Sequence, residues 1–151
     1  MSAAQLEWAQ TPIVHGLTRP AKLALLAAAA FALGLWVYGV DRAWAHLLPS
    51  VVSGSAPSFL HALAFTLATA LCLARSRVQV LGIALGWAAL DGLIECAQHP
   101  SVHAALQTAL PGAAARWGGT FDPLDLGAAL LGALLAGLLV ARGLAPPQDG
   151  R

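Results

Sequence analysis

The chain has 151 residues, of which 58% are hydrophobic and 10% charged, with a formal net charge of +1. A soluble domain carries about 25% charged residues, so this composition, with a mean hydropathy of +0.71, excludes an ordinary soluble domain and points to a polytopic membrane protein. No basic patch interleaves with aromatic residues, which excludes a nucleic-acid partner.

In chain order, residues 1–20 contain Trp8 and two prolines and read as a cytoplasmic tail or surface segment. They lack a basic region followed by an apolar run and a small-residue cleavage site, so no removable signal peptide is expected. Four later stretches approach the roughly 20 apolar residues that a spanning helix needs. They cover about residues 22–40, 58–74, 78–98 and 124–141. Between the first two, Trp44, Leu47, Leu48, Val51 and Val52 suggest a loop lying at the membrane interface. Spans two and three are joined by the short turn Arg75-Ser76-Arg77. Between Pro100 and Pro111, Val102, Ala105, Leu106, Ala109 and Leu110 repeat at helical spacing, as a short amphipathic interfacial helix would. Trp117 also suits an interface. The end, residues 144–151, reads as a disordered tail. The expected fold class is an all-α membrane protein: residues 21–143 form a compact bundle of four transmembrane helices, with short interfacial helices in the outer loops.

Arg19, Lys22, Arg75, Arg77, Arg142 and Arg151 fall on one side of this four-span arrangement, and Arg42 and Arg116 on the other. The positive-inside rule then puts both termini in the cytoplasm, and the loops at about 41–57 and 99–123 outside. Cys72 and Cys96 lie in apolar runs and read as buried small hydrophobes rather than a disulfide. Pairs of small residues four apart, such as Gly82 and Gly86 or Ala128 and Gly132, allow close helix approach.

Against this apolar background Asp91, Glu95 and Gln98 stand out on the third span. A carboxylate at a bilayer centre costs roughly 2.5–3.5 kcal/mol on insertion scales, and less near the ends. The three fall within an arc of about 60° on a helix of 3.6 residues per turn, opposite Leu81, Leu85 and Ala89. That face is therefore expected to point at other helices. His61 and Asp91 are each fifteen residues from Ser76, or roughly 22 Å along a helix rising 1.5 Å per residue. Asp125 on the fourth span reaches a similar depth. Asp122-Pro123 reads as a helix N-cap followed by proline at the first position, with Asp125 favoured by the helix dipole. Four ionisable groups from three helices thus converge in the outer third of the membrane.

The same residues carry a family likeness. His61 with Ala62-Leu63-Ala64-Phe65, then Glu95-x-x-Gln98, then Asp125 followed by Gly132, resembles the VanZ-like family over about residues 41–142. Pro57-Ser58 stands where that family often has Asp-Lys, Ala129 where it usually has Asn, and Arg116 is the candidate for its loop arginine. The resemblance implies a small four-span protein of the bacterial cytoplasmic membrane and a cell-envelope setting, with a link to glycopeptide (teicoplanin) resistance. It implies no particular reaction.

The expected function is binding or processing of a polar head group, from an envelope lipid or a lipid-linked intermediate, near the outer membrane face. Glu95 and His61 are the candidates for proton transfer, and Asp91, Gln98, Asp125 and Arg116 for binding, with Asp91 pairing His61. The contrasting expectation is a non-catalytic accessory subunit, its polar cluster a satisfied network that fixes helix register, either as a homo-oligomer or with a membrane-protein partner. Glu95, His99 and His103 share a four-residue spacing that can present metal ligands on one helix face. Pro100 interrupts that helix, so neither a metal nor another cofactor is expected.

Overall fold

The computed structural model describes residues 18–110, 112 and 120–143. The expectations for the N-terminal segment up to residue 17, for Arg116 and Trp117, and for the tail at 144–151 lie outside the described residues. Helix α1, Arg19–Trp36, runs straight into a π-helical segment, Val37–Ala45. Then come α2, Ser50–Leu73, α3, Arg77–Gln98, the short α4, Pro100–Ala109, and α5, Pro123–Gly143. Four of these elements are long and apolar enough to cross a membrane: Arg19–Ala45, Ser50–Leu73, Arg77–Gln98 and Pro123–Arg142. No strand occurs among the described residues.

Helix α2 touches α1, the π segment, α3 and α5, while α3 also packs on α5. Its tightest neighbour is α5. A Cβ at Gly132 would collide with the Phe59 carbonyl oxygen and lie 3.2 Å from the Leu63 nitrogen. The two backbones meet there with no side chain between them, which is the use to which membrane helices put small residues. Ala62, Ala129 and Ala133 continue this seam, each at most 2% exposed. Large residues face outward instead: Leu93 is 69% exposed and Leu131 63%. Lipid tails are as apolar as leucine, so burying leucine between helices gains little there, whereas alanine and glycine gain close contact.

The turn into α3 is fixed by its own sequence. The Ser76 hydroxyl accepts the Gln79 N–H at 3.3 Å, and the Gln79 side-chain oxygen accepts the Arg75 N–H at 2.6 Å. This variant of a capping box pins the relative depth of α2 and α3. Further along the pair, Trp87 stacks on Phe65 at 4.9 Å and its Nε1–H donates to Thr69 Oγ1 at 3.0 Å.

Two sequence expectations change. The stretch 41–57 is not an interfacial loop: the first helical run extends to Ala45, and α2 begins at Ser50 rather than 58. Gly54, Pro57 and the serines around them read as a loop by propensity. Pro57 is instead buried within α2, and tertiary packing overrides propensity. Cys72 and Cys96 are free, as expected, but both are exposed rather than buried. Apolarity and burial separate once the outer surface faces lipid. The amphipathic helix after Pro100 forms, and none of its residues is buried.

The α2–α5 crossing makes a direct prediction. Gly132→Val should lower the stability of the detergent-solubilised protein by about 2–3 kcal/mol, as overpacking does. Gly127→Ala, on the same helix with nothing within 4 Å of the added Cβ, should leave the thermal midpoint unchanged or raise it. Equal melting curves for G132V and wild type would show that the crossing has slack.

Candidate functional site

The buried stripe of α1 is Ala27, Ala30 and Gly34, and it continues through Val37 to Asp41 in the π segment. Asp41 is fully buried. Its Oδ1 accepts the N–H groups of Leu47 at 2.7 Å and Leu48 at 3.2 Å. Its carbonyl accepts the His46 N–H at 2.9 Å, the i to i+5 bond of a π turn, and His46 itself takes a left-handed conformation with φ 48°. One aspartate therefore ends the first span and turns the chain toward α2. The wider π winding brings residues four apart into line, and Tyr38, Gly39, Arg42 and Ala43 all line the same cleft. The Arg42 guanidinium lies 5.9 Å from the centre of the Tyr38 ring. π turns occur mostly as single-turn bulges, frequently at functional sites.

Helix α2 contributes Pro57, Ser58 and His61 to the cleft. The His61 ring sits against the bare backbone of Gly34, where a Cβ would fall 2.9 Å from both Cδ2 and Nε2. Phe31 at 5.7 Å and Phe65 at 6.2 Å flank it. Its Nε2 is buried and has no hydrogen-bond partner among the described residues. His61 lies well inside α2, so it does not cap the helix.

Helix α3 contributes Glu95 and Gln98. Carboxylates near a helix C-terminus meet the negative end of its dipole, and the neighbouring helix supplies the compensation. Asp122 caps α5, its Oδ1 accepting the Leu124 N–H at 2.9 Å with Pro123 opening the helix. The backbone N–H of Asp122 points the other way and donates to Glu95 Oε2 at 3.4 Å. The positive start of α5 thus faces the carboxylate at the end of the antiparallel α3. Asp125 follows in the first turn of α5, with the Ser55 hydroxyl beside it and Arg42 and Asp122 within electrostatic reach.

Together these groups line a cleft of about 880 Å³ at one end of the helices. The structure brings His61, Glu95, Gln98 and Asp125 to one wall system, as the sequence suggests. Asp91 does not line the cleft; it lies one turn deeper on α3, half-buried, and its Oδ2 has no partner among the described residues. No hydrogen bond joins Asp91 to His61 through the orphaned His61 Nε2, so the expected pairing is absent among the described residues. The leucines opposite the polar face, Leu81 and Leu85, are exposed, as expected.

Sequence reasoning missed Tyr38, Arg42 and Asp41 as parts of the site. The signal existed, because Asp41 extends the stripe Ala27, Ala30, Gly34 and Val37 in steps of three and four. His99 and His103 point elsewhere: His99 Nδ1 pairs with the Ser101 hydroxyl at 2.8 Å, and His103 Nε2 with Gln107 at 3.0 Å. Among the described residues no three His, Cys, Asp or Glu side chains are grouped to hold a metal ion.

Removing the buried carboxylate tests the staple. Asp41→Ala leaves the Leu47 and Leu48 N–H groups without their acceptor and should destabilise the protein by about 1–3 kcal/mol. Asp41→Asn, which retains an acceptor oxygen, should cost less. Thermal melts of the two variants decide the matter, and an unchanged D41A melt would remove Asp41 from the framework of the cleft.

No family model matches the chain, and neither does any curated protein or solved structure.

Proposed function

We propose that the chain is a multi-pass protein of the bacterial cytoplasmic membrane, akin to the VanZ-like family, whose cleft binds or processes the polar head group of an envelope lipid or lipid-linked glycan. The observation that carries this reading is the convergence of His61, Glu95, Gln98 and Asp125, from three apolar helices, on one cleft that also holds Arg42. Groups of this kind are costly within a membrane and mark sites of function there.

In this reading the four long helices form a bundle across the bilayer, with α4 at the outer interface. Arg19, Lys22, Arg75, Arg77 and Arg142 lie at the helix ends away from the cleft. The positive-inside rule therefore supports cytoplasmic termini and a cleft near the outer face. A link to teicoplanin resistance follows from the family likeness.

Each group has a part. Glu95 is the central acceptor for a proton or a hydrogen bond from the head group, held in place by the Asp122 N–H. His61 lines the cleft as the second candidate for proton exchange, with the Nε2 edge of its ring packed on Gly34. Gln98 donates to a head-group oxygen, and Asp125 orients a cationic or hydroxyl group. Arg42 takes the phosphate contact for which the sequence offered Arg116. The accessory-subunit reading needs a polar network that satisfies itself. Here His61 Nε2, Asp91 Oδ2 and Asp125 Oδ1 are buried without partners among the described residues, so the network does not satisfy itself.

Native mass spectrometry of the protein taken from its own membrane tests the proposal. The wild type should retain one head-group class of lipid in near-stoichiometric amount. Glu95→Gln should weaken that retention about tenfold, the loss expected for a hydrogen bond to a charged group. A random sample of bulk lipid in both proteins would reject the reading. A stoichiometric protein partner that is insensitive to E95Q would favour the accessory subunit.

A further inference from the structure

A second cavity lies directly beneath the first. It is a groove of about 430 Å³ between α1 and α2, lined by small and aromatic side chains including Ala24, Ala28, Phe31, Phe65, Ala68 and Cys72. The helices are antiparallel here, since Phe31 meets both His61 and Phe65. The groove therefore runs from the level of Phe31 and Phe65 down to that of Ala24 and Cys72. That is seven residues on each helix, or roughly 10 Å at 1.5 Å per residue.

His61 joins the two cavities. It lines the polar cleft, and its ring packs on Phe31 and Phe65, which line the groove. Polar groups stand above this junction and only apolar ones below it. A lipid lying in one leaflet has the same layout, with its head at the interface and its chain directed toward the midplane.

Resting on the head-group reading above, we infer that cleft and groove hold one amphiphile: a lipid whose single phosphate meets Arg42, whose amine or hydroxyl donors meet the carboxylates, and whose hydrocarbon chain lies between α1 and α2. Charge complementarity selects the head. Among the described residues one guanidinium, that of Arg42, shares the cleft with Glu95, Asp122 and Asp125, so a head group of several negative charges is repelled, whereas one phosphate followed by hydrogen-bond donors matches both signs. The groove selects by fit. A chain in a bilayer is already out of water, so the groove holds it through dispersion contacts with a close-fitting wall. The alanines make room for the chain, and the Phe31 and Phe65 rings set its upper end.

The test uses vesicles of equimolar phosphatidylethanolamine and phosphatidylcholine, with the bound lipid read by native mass spectrometry. The two lipids share a phosphate and chains, but only the ethanolamine donates hydrogen bonds. The wild type should retain lipid enriched in phosphatidylethanolamine. The double variant Ala28→Phe, Ala68→Phe fills the groove at two exposed positions and should lose most of the retained lipid while melting like the wild type. Leu131→Phe, on the exposed surface of α5, should retain lipid normally. Glu95→Gln should abolish the enrichment. Full, enriched retention by the groove variant would overturn the chain seat and leave the head-group reading standing. Absence of enrichment in the wild type would overturn the donor-bearing, single-phosphate occupant proposed here, while the broader head-group reading stands or falls on the lipid retained from the native membrane. Equal loss in the L131F control would reduce the groove to ordinary lipid contact and overturn the proposal.

Discussion

The contact between Gly132 and the Phe59 backbone is the constraint on which the rest depends. It sets α2 and α5 backbone against backbone, and both helices start at the cleft end. Two helix N-termini, with their positive dipole ends, therefore lie near one another beside the carboxylates. Asp125 sits one heptad before Gly132 on the same face of α5, beside Ser55, which lies one turn before Phe59 on α2. The crossing thus fixes where that carboxylate lands. Helix α3 runs antiparallel to α5, as its contacts at Gly92 with Leu126 and at Gly137 with Ala84 indicate. Its C-terminal Glu95 is brought to the Asp122 N–H as a consequence.

The four spans were legible because composition and length are sufficient for that inference: some twenty consecutive apolar residues have few other uses. The convergence of His61, Glu95, Gln98 and Asp125 was legible for a related reason. A turn as short as Arg75-Ser76-Arg77 fixes helix depth, and polar residues avoid the lipid-facing side. What was not legible depended on helix boundaries. Arg42 fell in an expected loop because the apolar run ends near residue 40, whereas the helical run continues through the π segment to Ala45 and carries Tyr38 and Arg42 to the cleft. The early start of α2 was hidden in the same way, because Gly54, Pro57 and the nearby serines speak for a loop until the packing around buried Pro57 is known.

Burial, too, obeys different rules here. The side chains sealed between helices are mostly alanine, with Val37, Val80, Leu63 and Leu67 as larger members. Most of the other leucines, and Cys72 and Cys96 with them, turn outward. In a water-soluble protein such a surface would be a liability. Against lipid it has no comparable penalty, and small residues inside let four helices approach closely enough for their polar groups to meet.

The polar groups divide according to place. Those that shape the framework are satisfied: Ser76 with Gln79, Trp87 with Thr69, and Asp122 with Leu124. Those at or beneath the cleft keep unused capacity, at His61 Nε2, Asp125 Oδ1 and Asp91 Oδ2. Thr66, buried in the middle of α2, is the exception, and nothing near it explains its free hydroxyl. Asp41 bridges the two sets. One of its carboxylate oxygens holds the Leu47 and Leu48 amides, and the other is buried without a partner among the described residues, in the same π segment that presents Arg42. Unpaired buried polar atoms are destabilising, so a fold selected only for packing would not gather them at one end. His61 and Asp125 line the cleft and Asp91 lies one turn deeper, so the uncompensated polar atoms and the proposed head-group site occupy the same end of the helices.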